Sequence, residues 1–161
     1  MGETTMKAWA EAIERQMKRD SGMGDISRPK PKRRKKSDRT KAKEYADSWF
    51  SLFIRKRDGR CVTCKRKPPD VILECSHLYG KGSSSDLVRW DVRNAATQCK
   101  GCHFHHHTST NKPLTDYIFG RLGQDEMDEL WLRSKTVSKF SADTIKAFGD
   151  SFRDRVKEMG G

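Results

Sequence analysis

The sequence has no apolar run close to the roughly 18 or more residues that a transmembrane helix requires. Its first twenty residues carry glutamate, arginine and lysine throughout, which is atypical of a secretory signal peptide. Both absences favour a cytoplasmic protein, in which disulfides are disfavoured. Apolar residues make up only 34% of the chain, too little for a large hydrophobic core, so a bound metal ion would add stability.

Acidic residues are scarce relative to basic ones, 22 against 34, and the excess of positive charge lies in two segments. Residues 28–43 carry a net charge of +9 and residues 55–67 one of +6. Because the second segment surrounds a cysteine pair, the charge favours a polyanionic partner, with DNA first among candidates. A solvated tail without a partner is the alternative. The predicted DNA-binding residues are Lys32, Arg33, Arg34, Lys35, Lys36, Arg55, Arg57, Lys65, Arg66, Lys67, Lys81 and Arg89.

Four of the five cysteines form two Cys-x-x-Cys pairs, Cys61 with Cys64 and Cys99 with Cys102. Each pair places two thiolates on one turn, and two pairs complete the tetrahedral ligand set of a structural zinc ion. An iron–sulfur cluster or four unrelated buried thiols are the alternatives. The fifth cysteine, Cys75, is interpreted as a small buried residue or as a substitute ligand.

Four of the five histidines lie together, directly after the second cysteine pair. On a helix, His103 and His107 are one turn apart and could share a metal ion, with His106 as a rival ligand. A polar helix face with surface histidines is the alternative. The remaining histidine, His77, ends a predicted strand, where it could act as a general base or have a structural role. The side chain of Asn94 could tie its loop back and so orient His77, or it could cap a helix, and both roles could hold at once.

Hydrophobic periodicity predicts several helices, the first over residues 5–19, and two short strands at residues 71–75 and 87–90. A helix over residues 94–107 is expected to carry the second cysteine pair. Composition divides the chain into four parts. They are an N-terminal helix at 1–26, a basic linker at 27–40, a zinc-stapled domain with packing helices at 41–134 and a C-terminal helix at 135–161.

The order of His77, Asn94 and His103 around the two cysteine pairs resembles that of the HNH (His-Me finger) nucleases. Residues 74–77, 87–94 and 98–103 are similar in particular to the phage NinG/Rap recombination endonuclease family, and the likeness extends over about residues 60–133. This resemblance implies an α+β fold with a small ββα-metal (HNH) core and a four-cysteine zinc clamp, flanked by several α-helices.

The resemblance also implies a role for each matching residue. His77 would be the catalytic base, Asn94 the orienting asparagine and His103 the last histidine of the HNH set. His103 and His107 would hold a catalytic Mg²⁺ or Mn²⁺, beside the structural Zn²⁺ of the cysteines.

One position departs from the HNH pattern. These enzymes often carry aspartate or histidine directly before the base, where it binds the catalytic metal, and this sequence has Ser76 there. The metal would then rest on His103 and His107 with water, or recruit Glu74 or Asp91.

The implied function is that of a metal-dependent endonuclease of phage recombination, hydrolysing branched or structured DNA in the cytoplasm of an infected bacterial host. A zinc-stabilised DNA-binding accessory protein without catalysis is the alternative. A third reading is an adaptor that recruits other proteins through its terminal helices. The amphipathic helices at both ends would also suit a homodimer.

Overall fold

The computed structural model of the protein describes residues 35–80 and 85–160, together with Glu11, Ile13, Glu14 and Met17. The chain divides into two units, residues 1–35 and 36–161. The four isolated residues are helical, in agreement with the helix expected over residues 5–19. The finer division into four parts stays a prediction.

The second unit consists mainly of helices around one small sheet. The helices are α1 (Asp38–Asp58), α2 (Asp86–Arg89), α3 (Lys100–Thr108), α4 (Lys112–Leu122), α5 (Gln124–Lys135) and α6 (Ala142–Glu158), and a 3₁₀ turn covers Val92–Asn94. The strands are β1 (Leu73–His77) and β2 (Ala95–Cys99). The expected combination of helices and a small sheet is confirmed. Among the described helices, none is long and apolar enough to cross a membrane.

The second strand does not lie where the sequence predicted it. Residues 87–90 fall largely within α2, because Ser85 caps that helix by accepting a hydrogen bond from the Leu87 amide at 3.2 Å. The strand instead occupies the start of the helix predicted over residues 94–107. It is buried along its whole length and therefore lacks the alternation that marks a half-buried strand.

The sheet is antiparallel, with Leu73 opposite Cys99 and His77 opposite Ala95. One face packs on α1 and α6 in the larger apolar cluster, which includes Phe50, Ile54, Ala95 and Phe152. Cys75 packs against this cluster. The other face packs on α4, where Ala96 contacts the smaller cluster around Leu114. Because side chains alternate along a strand, β1 directs its odd-numbered residues toward α1 and its even-numbered residues toward the α3 and α4 side.

Asp86 anchors the start of α2 to its surroundings. Its carboxylate accepts hydrogen bonds from the Phe140 amide at 2.8 Å and from Lys43 Nζ at 3.1 Å, and it also pairs with Arg39. Burial alone would raise the pKa of Asp86, but these hydrogen bonds and charges outweigh it and the pKa lies below its ordinary value. The anchor therefore stabilises the fold at neutral pH and is lost as the pH falls through that lowered pKa.

Candidate metal centre and histidine site

Four cysteines from three parts of the second unit converge at one point. Cys61 and Cys64 lie in the turn that follows α1, Cys99 ends β2, and Cys102 lies in the first turn of α3. Their four sulfur atoms lie within 4.8 Å of one another. Within the described residues, this is the one group that brings three or more such ligand atoms together.

Backbone hydrogen bonds shape the turn that holds the first pair. The Cys61 amide donates to the carbonyl of Arg66 at 2.9 Å, and Lys65 adopts a positive φ of 63° that closes the turn. The amide of Val62 donates to the carbonyl of Thr97 at 2.8 Å, which attaches the turn to β2. Both cysteine pairs are thus positioned by β2, the strand that the sequence did not reveal.

The spacing of the sulfurs fits a tetrahedral metal ion. Ligands about 2.3 Å from one zinc ion lie about 3.8 Å apart at tetrahedral angles, and the sulfurs of Cys64 and Cys99 are 3.7 Å apart. A hydrogen bond from Arg66 lowers the pKa of Cys64 to about 6, whereas burial raises the pKa of Cys102. The predicted convergence is confirmed: the cluster could hold a metal ion and is consistent with structural zinc. Cys75 lies outside it.

His103 and His107 meet on α3. Their Nε2 atoms are 3.0 Å apart, as the spacing of one helical turn predicted. The Nδ1 of His103 lies 2.8 Å from Oε2 of Glu74 on β1. Since a carboxylate accepts, Nδ1 carries the hydrogen, and in the neutral ring Nε2 then has the lone pair that a metal ion requires. The rival His106 is a half-buried neighbour whose pKa is lowered by burial and by the two other histidines.

The two carboxylates that were alternative ligands differ in their surroundings. Glu74 contacts His103, whereas Asp91 accepts hydrogen bonds from the amide and the guanidinium of Arg93 at 2.9 Å each. Ser76, on the same face of β1 as Glu74, is fully buried, and its hydroxyl has no hydrogen-bond partner within the described residues. A polar atom of this kind fits a position beside an ion or an ordered water molecule.

His77 lies at the end of β1, on the face directed toward α1. The residue is 7% exposed, and the centroid of its ring lies 5.5 Å from that of Phe50. The Nε2 of His77 is 3.1 Å from the carbonyl oxygen of Arg89. Because a carbonyl can only accept, Nε2 carries the hydrogen and Nδ1 is the nitrogen with the lone pair in the neutral ring. The strand alternation thus separates His77 from Glu74, which contacts His103 on the opposite face.

Asn94 closes the segment that follows His77. Its side-chain oxygen accepts from the Tyr79 amide at 2.8 Å, and its nitrogen donates to the carbonyls of Tyr79 at 3.0 Å and Val88 at 2.9 Å. This fully buried side chain therefore ties the segment at Tyr79, just after His77, to the segment at Val88. The geometry matches the expectation that Asn94 ties the loop back, rather than capping a helix through its side chain.

A comparison with protein-family models identifies relatives of this chain. The model described as bacteriophage lambda NinG protein matches residues 2–160. The chain belongs to the NinG family. This is a phage family related to recombination, and the match includes all the cysteines and histidines described above. Comparison with curated proteins and with solved structures gives no significant match.

Sequence reasoning missed one residue of this NinG-family site, Asp47 on α1. Its carboxylate accepts hydrogen bonds from Nε and Nη2 of Arg89 at 3.1 and 2.6 Å, and from Nε1 of Trp90 at 3.0 Å. These hydrogen bonds hold in place the segment that contains Arg89, whose carbonyl oxygen accepts a hydrogen bond from Nε2 of His77. The stretch around Asp47 is an ordinary polar helix face in the sequence, so no local signal could have marked it.

Two of the predicted DNA-binding residues have internal roles in this NinG-family protein. Arg57 donates to Asp58 and to the carbonyls of Val92 and Ala95, and Arg89 forms the ion pair described above. Both side chains are largely buried. We therefore expect Arg57 and Arg89 to stabilise the fold before they contribute to DNA binding.

Among the other predicted DNA-binding residues, those that the structure describes lie nearer the surface. Lys36 forms an exposed ion pair with Glu44, Lys65 donates to a carbonyl within the cysteine turn, and Arg66 donates to Cys64 at 3.5 Å. Lys35 and Lys67 are exposed and Arg55 is half-buried. The residues outside the described part are Lys32, Arg33, Arg34 and Lys81.

Proposed function

We propose that this protein is an HNH-type, metal-dependent endonuclease that hydrolyses branched or structured DNA during phage recombination. The observation that carries the proposal is the pair of His103 and His107, with Glu74 on the outer nitrogen of His103. Membership of the NinG family supports the phage setting, and hence action in the cytoplasm of an infected host.

The histidine pair fits a divalent cation. Two adjacent ligands of an octahedral ion at about 2.1 Å lie about 3.0 Å apart. The two Nε2 atoms of His103 and His107 have this separation, at which the rings form a hydrogen bond when no ion lies between them. A bound Mg²⁺ or Mn²⁺ would supply stabilisation of the charge on the phosphate and on the leaving oxygen. Glu74 would orient His103, and the hydroxyl of Ser76 is suited to a metal-bound water.

His77 is the last residue of β1. Although its ring lies on the opposite face of the strand from Glu74, it would take the proton from an attacking water that sits beyond the end of the strand. Its Nε2–H is held by the Arg89 carbonyl, so Nδ1 is the basic atom. Asn94 and Asp47 would position this ring through the segments they tie down. The four cysteines would hold structural Zn²⁺ and fix the start of α3, from which both metal-binding histidines project.

The proposal is tested by incubating the purified protein with linear, nicked and four-way DNA in the presence of Mg²⁺ or Mn²⁺. We expect His77→Ala to lower cleavage by about 10²–10⁴-fold, the range for loss of a general base. His105→Ala is the matched control, because His105 is exposed on α3 and has no role in the proposal. Absence of cleavage on every substrate, or equal cleavage by His77→Ala, would refute the assignment.

Two observations favour a second candidate, a zinc-stabilised DNA-binding accessory protein without catalysis. The ring of His77 is nearly buried against Phe50, as in a structural core histidine, and Ser76 stands where a metal ligand was expected. This candidate predicts DNA binding that weakens steeply with salt, with no cleavage under any divalent metal. Binding and cleavage measured on the same DNA distinguish the two.

A further inference from the structure

The outward stripe of α3 carries an unusual set of side chains. Lys100, Phe104 and His107 follow one another at spacings of four and three residues, so they lie on one helix face. All three are exposed. Phe104 is 69% exposed, more than any other phenylalanine among the described residues. An aromatic ring in water therefore stands one turn from a proposed metal ligand.

The surroundings of Phe104 leave its ring accessible. Side chains in helices lean toward the N-terminus, so the ring lies over the turn that contains Lys100 and Gly101. Gly101 has no side chain, and a Cβ at that position would meet nothing within 4 Å. The Lys100 amide donates to the carbonyl of Ile72 at 3.0 Å. Ile72 is exposed and aliphatic, and this bond places it next to the same turn. The result is a small open apolar surface beside a cation.

We propose that Phe104 stacks on an unpaired base of the DNA substrate while Lys100 contacts a neighbouring phosphate. This inference rests on the proposed function and specifies its substrate, because a base inside a duplex already stacks on both sides. A base at a branch or a flap offers a free face, on which an aromatic ring can pack without regard to sequence. The stacked base would bring the adjacent phosphate toward His107.

The size and charge of this surface favour a nucleobase over a protein partner. A stable protein interface covers about 800 Å² on each partner, whereas one aromatic side chain buries roughly 150–250 Å². The exposed neighbours on α3, His105 and Thr108, are polar and do not extend the apolar surface. The ring of Phe104 suits one base, and the ammonium group of Lys100 suits one phosphate.

The test compares two DNAs of the same sequence, a blunt duplex and a duplex with a single-stranded flap that carries 2-aminopurine at the branch. Binding to the full chain is measured by fluorescence anisotropy without added Mg²⁺ or Mn²⁺, so that no DNA is cut. We expect Phe104→Ala to weaken flap binding by about 10- to 100-fold and duplex binding by less than about twofold. Phe104→Trp should retain flap binding, and quenching of 2-aminopurine by the parent should disappear in Phe104→Ala.

Phe119→Ala is the matched control, since Phe119 is an exposed phenylalanine on α4. Equal flap binding by the parent and Phe104→Ala would overturn this inference alone, and so would an equal loss on flap and duplex. If the parent binds neither DNA, the DNA-directed function fails as well. A midpoint temperature of thermal unfolding that is the same for Phe104→Ala and the parent verifies that the change is confined to the surface.

Discussion

The cysteine cluster and the histidine pair begin within one turn of each other on α3, yet they differ in completeness. The cysteines bring four ligand atoms within 4.8 Å of one another. The histidines bring two nitrogens to 3.0 Å and use Glu74 to orient one of them. A closed set of four thiolates suits a structural metal, whereas a small set with room for water and substrate suits a reaction.

The histidine pair also depends on the cysteine cluster, whereas the cluster does not depend on the histidine pair. Cys99 and Cys102 flank the start of α3, so the cysteine cluster determines where His103 and His107 project. Losing the cluster should therefore disrupt both sites, whereas losing the histidines should leave the cluster intact. The predictions below test this asymmetry, in order of decreasing expected effect.

The largest effect is expected for Cys99→Ala. Because the folding free energy of small zinc domains comes largely from the metal, we expect bound zinc to be lost and the fold to be destabilised by at least several kcal/mol. Metal analysis and thermal unfolding measure both. Cys75→Ala is the control, since Cys75 packs in the apolar cluster outside the four sulfurs. Full zinc content in Cys99→Ala would exclude the cluster as the zinc site.

His107→Ala should abolish most cleavage while leaving zinc content and thermal stability unchanged. A direct metal ligand is expected to matter more than the 10- to 100-fold typical of residues that orient ligands. Cleavage rates are measured across a range of Mn²⁺ concentrations, with His105→Ala in parallel. If His107→Ala instead loses zinc, the two sites are not separate.

Glu74→Ala should have an intermediate effect, lowering cleavage or Mn²⁺ affinity by about 10- to 100-fold. The reason is that the carboxylate accepts the hydrogen on Nδ1 of His103 and so would direct Nε2 to the proposed metal ion. Glu74→Gln keeps an acceptor at this position and should recover part of the activity. Unchanged cleavage in Glu74→Ala would remove this residue from the site.

Asp47→Asn is expected to have the smallest effect. Loss of the charge weakens the hydrogen bonds to Arg89 and Trp90, which should lower stability by about 1–3 kcal/mol and cleavage by about tenfold. Chemical denaturation and the pH–rate profile measure these effects, with zinc content unchanged. Asp38→Asn, at an exposed ion pair on the same helix, provides the control. A cleavage rate equal to that of the control would leave Asp47 a purely structural role.

Local spacing explains what the sequence could predict about the sites. Two residues between paired cysteines place both sulfurs on one turn, and a four-residue interval places His103 and His107 on one helix face. The position of β2 could not be predicted in this way. Its residues are buried on both faces, and their apolar pattern therefore carries no period of two.

The sequence by itself thus determined the ligand types, the two cysteine pairs, the histidine pair and the basic character of the chain. Only the tertiary structure decided that the pairs converge through β2, that Glu74 reaches His103 across 29 residues, and that the Arg89 carbonyl selects the tautomer of His77. The physical reason is the distance along the chain over which each kind of interaction acts. Helix and turn geometry act over a few residues, whereas strand register and helix packing set which distant groups meet.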